Sequence, residues 1–217
     1  MITLKTILLM KPEYAAKLNE IVRSYDIELI YKIVLNNKEL KECIQWKPDL
    51  ILSFGSSVIV PQKLLHLPGT LSVNIHAASP EFPGRDPHHF AVYNDAKEYG
   101  ATLHFMTKNV DEGGIIDVET FDVEKRSTPA ALLKAANRAG WMLIHRLFRK
   151  LSEGEDIKAD ETRCWGETKT SRTDFLELCR ITHDMDYDEV MRRKRAVAHP
   201  KYSNLYIEHF GIKFIIE

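Results

Sequence analysis

Compact apolar runs alternate along the first half of the chain with stretches whose apolar residues recur at helical spacing. Residues 6–10 contain Ile7, Leu8, Leu9 and Met10 in succession, the texture of a strand buried on both faces. Pro12 then opens a segment in which Ala15, Leu18, Ile21 and Val22 share one face of a helix. Proline suits a first-turn position, where its missing N–H is not needed. Residues 27–34 predict a second strand, residues 39–45 a short helix and residues 50–54 a third strand. A β-α-β-α-β order of this kind predicts an open α/β fold with a parallel sheet and helices on both faces.

Further along, residues 61–65 predict one helical turn and residues 71–74 a fourth strand. Residues 77–87 are dense in turn formers, with Pro80, Pro83, Gly84 and Pro87. Residues 101–106 and, after Gly113 and Gly114, residues 115–123 predict two more strands. Ser127 and Pro129 signal the start of a long helix reaching about Leu151. Its stripe of Leu132, Leu133, Ala136, Ala139, Leu143 and Leu147 is core. Beyond residue 155 the texture becomes polar through residues 156–171. Two β-rich runs around His209-Phe210-Gly211 then predict a terminal hairpin. The pattern divides the chain into a core, residues 1–155, and a C-terminal part, residues 156–217, made of a connector, short helices and a β-hairpin.

Composition narrows the function. The 217 residues carry a formal net charge of −1, which offers no broad attraction to phosphate backbones. The local run Met191-Arg192-Arg193-Lys194-Arg195 reads as a solvated helical face or as a contact with an anionic substrate. Cys43, Cys164 and Cys179 are odd in number and far apart, which excludes a zinc knuckle or a redox pair and fits a reducing compartment. With neither a signal-peptide pattern nor a membrane-length apolar run, the expectation is a soluble, cytoplasmic protein.

In open α/β sheets ligands bind beyond the carboxyl ends of the strands. Asn74 and His76 sit at such an end, two residues apart and therefore on the same side of the strand. An amide donor beside an imidazole can polarise a carbonyl oxygen and move a proton. Asp111 lies in the turn Val110-Asp111-Glu112-Gly113-Gly114, where a carboxylate can orient a histidine. Each feature alone also fits an ordinary strand end or turn. His76, His88, His89 and His104 with Asp111 make a metal set on paper, but adjacent His88 and His89 would point apart on a helix. No metal is expected.

Taken together, four linked segments resemble the N10-formyltetrahydrofolate-dependent formyltransferases: Val73-Asn74-Ile75-His76, Phe82-Pro83-Gly84-Arg85, Gly100-Ala101-Thr102-Leu103-His104 and the Asp111 turn. The resemblance is close over residues 50–121 and looser in the N-terminal βαβ. It implies a Rossmann-like, mostly parallel sheet. It implies that Asn74 bonds the formyl oxygen, that His76 stabilises the oxyanion or protonates the departing N10, and that Asp111 orients His76 and accepts the amine's proton. It places the folate against Phe54, Ser56, Ser57, Val58 and Ile59 on one side and Lys108, Asn109 and Val110 on the other. Ala77, Ala78, Ser79, Arg85 and His104 are the expected acceptor contacts, with His104 open to the alternative of a packed strand residue. His76-Ala77-Ala78-Ser79-Pro80 departs from the family's usual His-Pro-Ser-Leu-Leu-Pro, which leaves those contacts less defined than the centre.

Within the family the chain is most similar to the sugar N-formyltransferases. Residues 9–14 lack the glycine-rich phosphate loop of the purine-pathway enzyme, and the expected basic RNA-binding surface of the initiator-tRNA enzyme is absent. The acceptor implied is a nucleotide-linked amino sugar, and the assembly implied is a homodimer. The alternatives are a formyltransferase for another amine, such as a methionyl-tRNA-like or glycinamide-ribonucleotide-like acceptor, and a non-catalytic folate-binding module.

Overall fold

A computed structural model describes residues 1–216. The first half follows the order β1 (Ile2–Leu9), α1 (Pro12–Arg23), β2 (Ile27–Ile33), α2 (Asn37–Glu42), a 3-10 turn (Ile44–Trp46) and β3 (Leu50–Phe54). It continues with α3 (Gln62–Leu65), β4 (Leu71–His76), α4 (Pro87–Tyr93), β5 (Glu98–Phe105) and β6 (Ile115–Asp122). The rest comprises α5 (Pro129–Ser152), α6 (Arg172–Leu178), β7 (Arg180–Ile181), α7 (Tyr187–Ala196), β8 (Tyr206–His209) and β9 (Ile212–Ile215).

The main sheet has the order β2-β1-β3-β4-β5-β6. Strands β1 to β4 run parallel, as the alternating pattern predicts, whereas β5 is antiparallel to both β4 and β6. Residues 106–114 between β5 and β6 are too few for a parallel crossover, so β6 must turn straight back. Its reversal restores the common direction, and the sheet stays mostly parallel.

Both faces are covered. Leu8, Leu52, Val73 and Ile75 point to one side, where α5 buries Ala139, Leu143, Ile144, Leu147 and Phe148 against them. Ile7, Leu9 and Ile51, alternate positions of the same strands, point to the other and meet Leu40, Val60 and Leu64. Each fully buried aliphatic side chain contributes about 1.5–3 kcal/mol. The cap of α5 is Thr128, whose Oγ1 accepts from the Ala131 N–H at 3.2 Å, with Pro129 following as the first helical residue.

Helix α4 starts on Pro87 but has no side-chain cap: Asp86 before it is left-handed (φ 56°) and does not bond the first turn. Its two histidines do not diverge as expected. The rings of His88 and His89 lie 4.4 Å apart, because His89 is drawn inward to the Ala196 carbonyl (2.7 Å).

The C-terminal segment packs onto the core through a third cluster. Phe175, Leu178, Ile181, Ala196, Leu205 and Tyr206 meet Ala78, Ala91, Tyr99, Leu132 and Ala136. The hairpin forms as expected and is anchored on its inner strand, since β8 pairs with β7. Outer strand β9 leaves Ile212, Phe214 and Ile215 exposed. The basic run on α7 is largely committed to the protein itself. Arg192 donates to the Tyr93 carbonyl, Arg193 to Glu189 and to two carbonyls, and Arg195 to Asp95. No helix among the described residues is long and apolar enough to cross a membrane.

Candidate functional site

Register brings the polar residues of β4 and β5 together. Asn74 lies directly opposite His104, and His76 opposite Thr102. A β-bulge between Leu103 and His104 shifts the pairing with β6 at this point, as bulges do where a side chain is re-aimed. The Asn74 amide nitrogen stands 3.0 Å from His104 Nε2, and His104 Nδ1 stands 2.8 Å from the Phe105 carbonyl. The carbonyl can only accept, so Nδ1 carries a proton; a ring holding that one proton accepts the Asn74 N–H at Nε2, which also faces Asp111.

Asp111 occupies the centre. It is 3 % exposed and left-handed (φ 51°), with Oδ1 3.5 Å from His104 Nε2 and Oδ2 3.5 Å from His76 Nδ1. Two glycines make this position possible. A Cβ at Gly113 would meet the Phe105 carbonyl oxygen at 1.8 Å, so only glycine lets the turn lie against β5. Gly84 (φ +98°) donates its N–H to Asp111 Oδ2 at 2.9 Å, and a Cβ there would meet the Thr170 carbonyl oxygen at 2.2 Å. Burial pushes the Asp111 carboxyl up. The neighbouring imidazoles of His104 and His76 and the Gly84 N–H outweigh burial and hold the carboxyl below its ordinary value.

His76 is fixed from its other side by the Phe82 carbonyl, 2.9 Å from Nε2. Burial lowers its pKa, against the opposing pull of Asp111, so the ring is neutral near pH 7. With its proton on Nε2, the Nδ1 lone pair faces the carboxylate of Asp111. Two acceptors then face each other across 3.5 Å, a gap that one shared proton can bridge.

A narrow cleft opens on Asn74, His104 and Asp111. Its walls are Ser53, Ser56, Val58, Ile59 and Val60 on one side and Met106, Thr107, Lys108, Asn109 and Val110 on the other. Ser56, Val58, Ile59, Lys108, Asn109 and Val110, expected against the folate, all line this cleft. Phe54 is not in the wall: it is fully buried beneath, against Tyr14 and Trp141. Ser57 is exposed outside the cleft lining. Ala78 and Ser79 are buried, with the Ala78 carbonyl accepting from Thr102, and Ala77 packs into the core, its carbonyl accepting from Tyr99. Arg85 remains exposed beside Asp86. Two larger depressions, of about 420 and 430 Å³, lie along β6 and α5 and near α4, and neither contains Asn74, His76 or Asp111. Among the described residues no three potential ligands are grouped so as to hold a metal ion.

Sequence reasoning misses two parts of the site. The Phe82 carbonyl and Gly84 N–H act through the backbone and leave no side-chain signal. Trp165, in the polar connector, lies edge-on to both imidazoles, with ring centroids 5.8 Å from His76 and 4.9 Å from His104. A lone tryptophan among charged residues is the signal that could have found it, since so large an apolar surface needs a partner.

The class defined here is an α/β protein whose amide, imidazoles and carboxylate converge at a strand end, a set suited to transferring a carbonyl-bearing group while managing one proton. Residues 19–147, more than half of the chain, match the formyl transferase family, and the protein belongs to it. A methionyl-tRNA formyltransferase from Bacillus cytotoxicus is 30% identical over 128 residues, which are 58% of this chain and 41% of that relative. The chain spans about half the length of the curated relatives it matches. A 4-N formyltransferase from Francisella tularensis superposes with a TM-score of 0.81 at 22% identity, covering 99% of this chain and 96% of that one. A sugar N-formyltransferase from a Shewanella species gives 0.78 at 18% identity, over 100% and 96% of the two chains. At these identities the likeness is one of fold.

Proposed function

We propose that this protein transfers the formyl group of N10-formyltetrahydrofolate to the primary amine of a nucleotide-linked amino sugar, working as a cytoplasmic homodimer. The observation that carries the reading is the cluster of Asn74, His104 and Asp111 in one cleft, with His76 directly behind Asp111. That cleft, of about 100 Å³, suits the flat heterocyclic end of a folate. Residues 56–61 are irregular backbone, which can offer amides and carbonyls to the polar edge of a flat heterocycle, while Val58, Ile59 and Met106 supply apolar walls.

Each residue then has a task. Asn74 spends one amide N–H on His104 and keeps the second for the formyl oxygen as it gains charge. The gap between His76 Nδ1 and Asp111 Oδ2 receives the proton that the attacking amine must lose. His76 can return that proton toward the departing nitrogen. His104 holds Asn74 in plane. Arg85, exposed at the end of the same loop, is placed to meet an anionic part of the acceptor.

The sugar acceptor is supported by the extent of the fold likeness. The two superpositions run through the C-terminal segment, and one of those neighbours is named a sugar N-formyltransferase. The near-neutral charge and the internally paired arginines of α7 argue against an RNA acceptor. The test is direct: supply formyl donor with a panel of nucleotide-linked amino sugars and, separately, methionyl-tRNA, and follow release of tetrahydrofolate. Turnover with the sugars alone is expected, and turnover with the tRNA alone would sink the assignment. Asp111→Asn should lower kcat by about 10²–10⁴ while folate binding persists.

A further inference from the structure

We infer that Trp165 is a positioning residue for the proton-transfer groups, its indole ring fixing the planes of His76 and His104 from the C-terminal connector. This inference rests on the formyl-transfer reading for its kinetic consequence and on geometry for everything else.

The indole is itself held on its polar side. Its Nε1–H donates to the Gly113 carbonyl at 2.8 Å, two residues beyond Asp111. Its ring meets the His104 ring at 88° and the His76 ring at 69°, so both contacts are edge-to-face. Such contacts set ring orientation as well as contributing burial. His76 otherwise depends on one carbonyl bond and a 3.5 Å approach to Asp111, which leaves its tilt weakly specified.

The connector around Trp165 is pinned to the same loops. The Gly166 N–H donates to the Pro80 carbonyl at 2.9 Å, and a Cβ there would meet the Glu81 carbonyl oxygen at 2.5 Å. Thr170 accepts from the Arg85 N–H and donates to the Pro83 carbonyl, on either side of Gly84. Residues 165–170 thus stitch the loop that supplies the Phe82 carbonyl and Gly84 N–H to the turn that supplies Asp111. Trp165 is the member of that stitch that reaches the imidazoles.

Two variants separate ring from N–H. Trp165→Phe keeps an aromatic edge and loses the bond to Gly113, whereas Trp165→Ala loses both. In Trp165→Ala kcat should fall about 10- to 100-fold with KM for donor and amine within about threefold, because misplaced groups slow the chemical step. Trp165→Phe should keep most of kcat. Independently of any turnover, nitrogen NMR titration of full-length protein should show the His76 pKa rising toward its ordinary value in Trp165→Ala and little changed in Trp165→Phe. An unchanged titration in a folded Trp165→Ala overturns the inference. So does an equal loss in both variants, since the effect would then run through Gly113. A loss confined to KM for the amine overturns it too, making the indole a substrate contact. If Trp165→Ala does not fold, an unshifted titration and undiminished kcat in Trp165→Leu serve as the overturning result. If no amine is turned over at all, the formyl-transfer reading fails while the titration still decides the inference.

Discussion

Asn74 makes only one side-chain bond of note, yet that bond decides what the residue can do. With His104 Nδ1 tied to a carbonyl, a ring holding one proton accepts at Nε2, and Asn74 presents nitrogen to it at 3.0 Å. The amide's remaining N–H is then aimed without further ordering, which is the preorganisation that stabilises developing charge. Asn74→Ala should lower kcat by about 10²–10³, the loss expected for one such donor, with folate affinity little changed. Steady-state kinetics alongside a folate-binding titration checks both halves; an unimpaired kcat would remove Asn74 from the reaction. The residue types Asn74, His76 and Asp111 were legible from their motif. Their geometry was not, because His76 turns its Nε2 to the backbone of Phe82 and lies one carboxylate away from the cleft. A carbonyl supplied by a loop is invisible in a sequence.

At the scale of elements, legibility followed periodicity. Strand β3 and helices α1 and α5 carry sustained apolar patterns and lie where those patterns put them, whereas β1, expected over residues 6–10, starts at Ile2 because its exposed first half pairs with β2. Helix α4 was not legible, since its seven residues hold only Phe90, Ala91 and Val92 in an apolar row and begin after a left-handed Asp86. That helix carries an acid-labile element. Burial, reinforced by the charge of His89, lowers the pKa of His88 to about 3, and its Nδ1 is buried without a hydrogen-bond partner. The unfolded chain therefore takes up a proton near pH 6.5 that the folded chain refuses until about pH 3. Stability from this group is fully present above pH 6.5 and falls as pH drops through that window. Denaturant unfolding at a series of pH values should show His88→Gln losing less stability on acidification, by up to about 1.4 kcal/mol per pH unit. Parallel stability curves for the two proteins would show that His88 titrates alike in the folded and unfolded chains.

For the whole molecule, the C-terminal segment does two things at once. Its inner parts complete a core and brace the candidate site, whereas its outermost strand faces solvent. Hairpin residues Leu205 and Tyr206 are buried within the chain, which accounts for one side of the hairpin without a second subunit. The other side is unaccounted for: Phe210 is 89% exposed, Ile212 59%, Phe214 55% and Ile215 59%. Strand β9 is also an unpaired edge; its one charge, Lys213, lies over the Tyr206 ring, and its apolar residues Ile212, Phe214 and Ile215 invite strand pairing. Pairing with the same strand of a second copy satisfies the edge and closes the assembly by two-fold symmetry, the commonest arrangement for soluble oligomers. Light scattering of the intact chain should then give about twice the 25.0 kDa of one chain. Ile212→Lys combined with Phe214→Glu should yield a monomer that still binds folate, because β9 touches none of the cleft residues and the buried Tyr206 is left in place. A mass of one chain at high concentration for the unaltered protein would mean that β9 is simply exposed, and the homodimer would have to be given up.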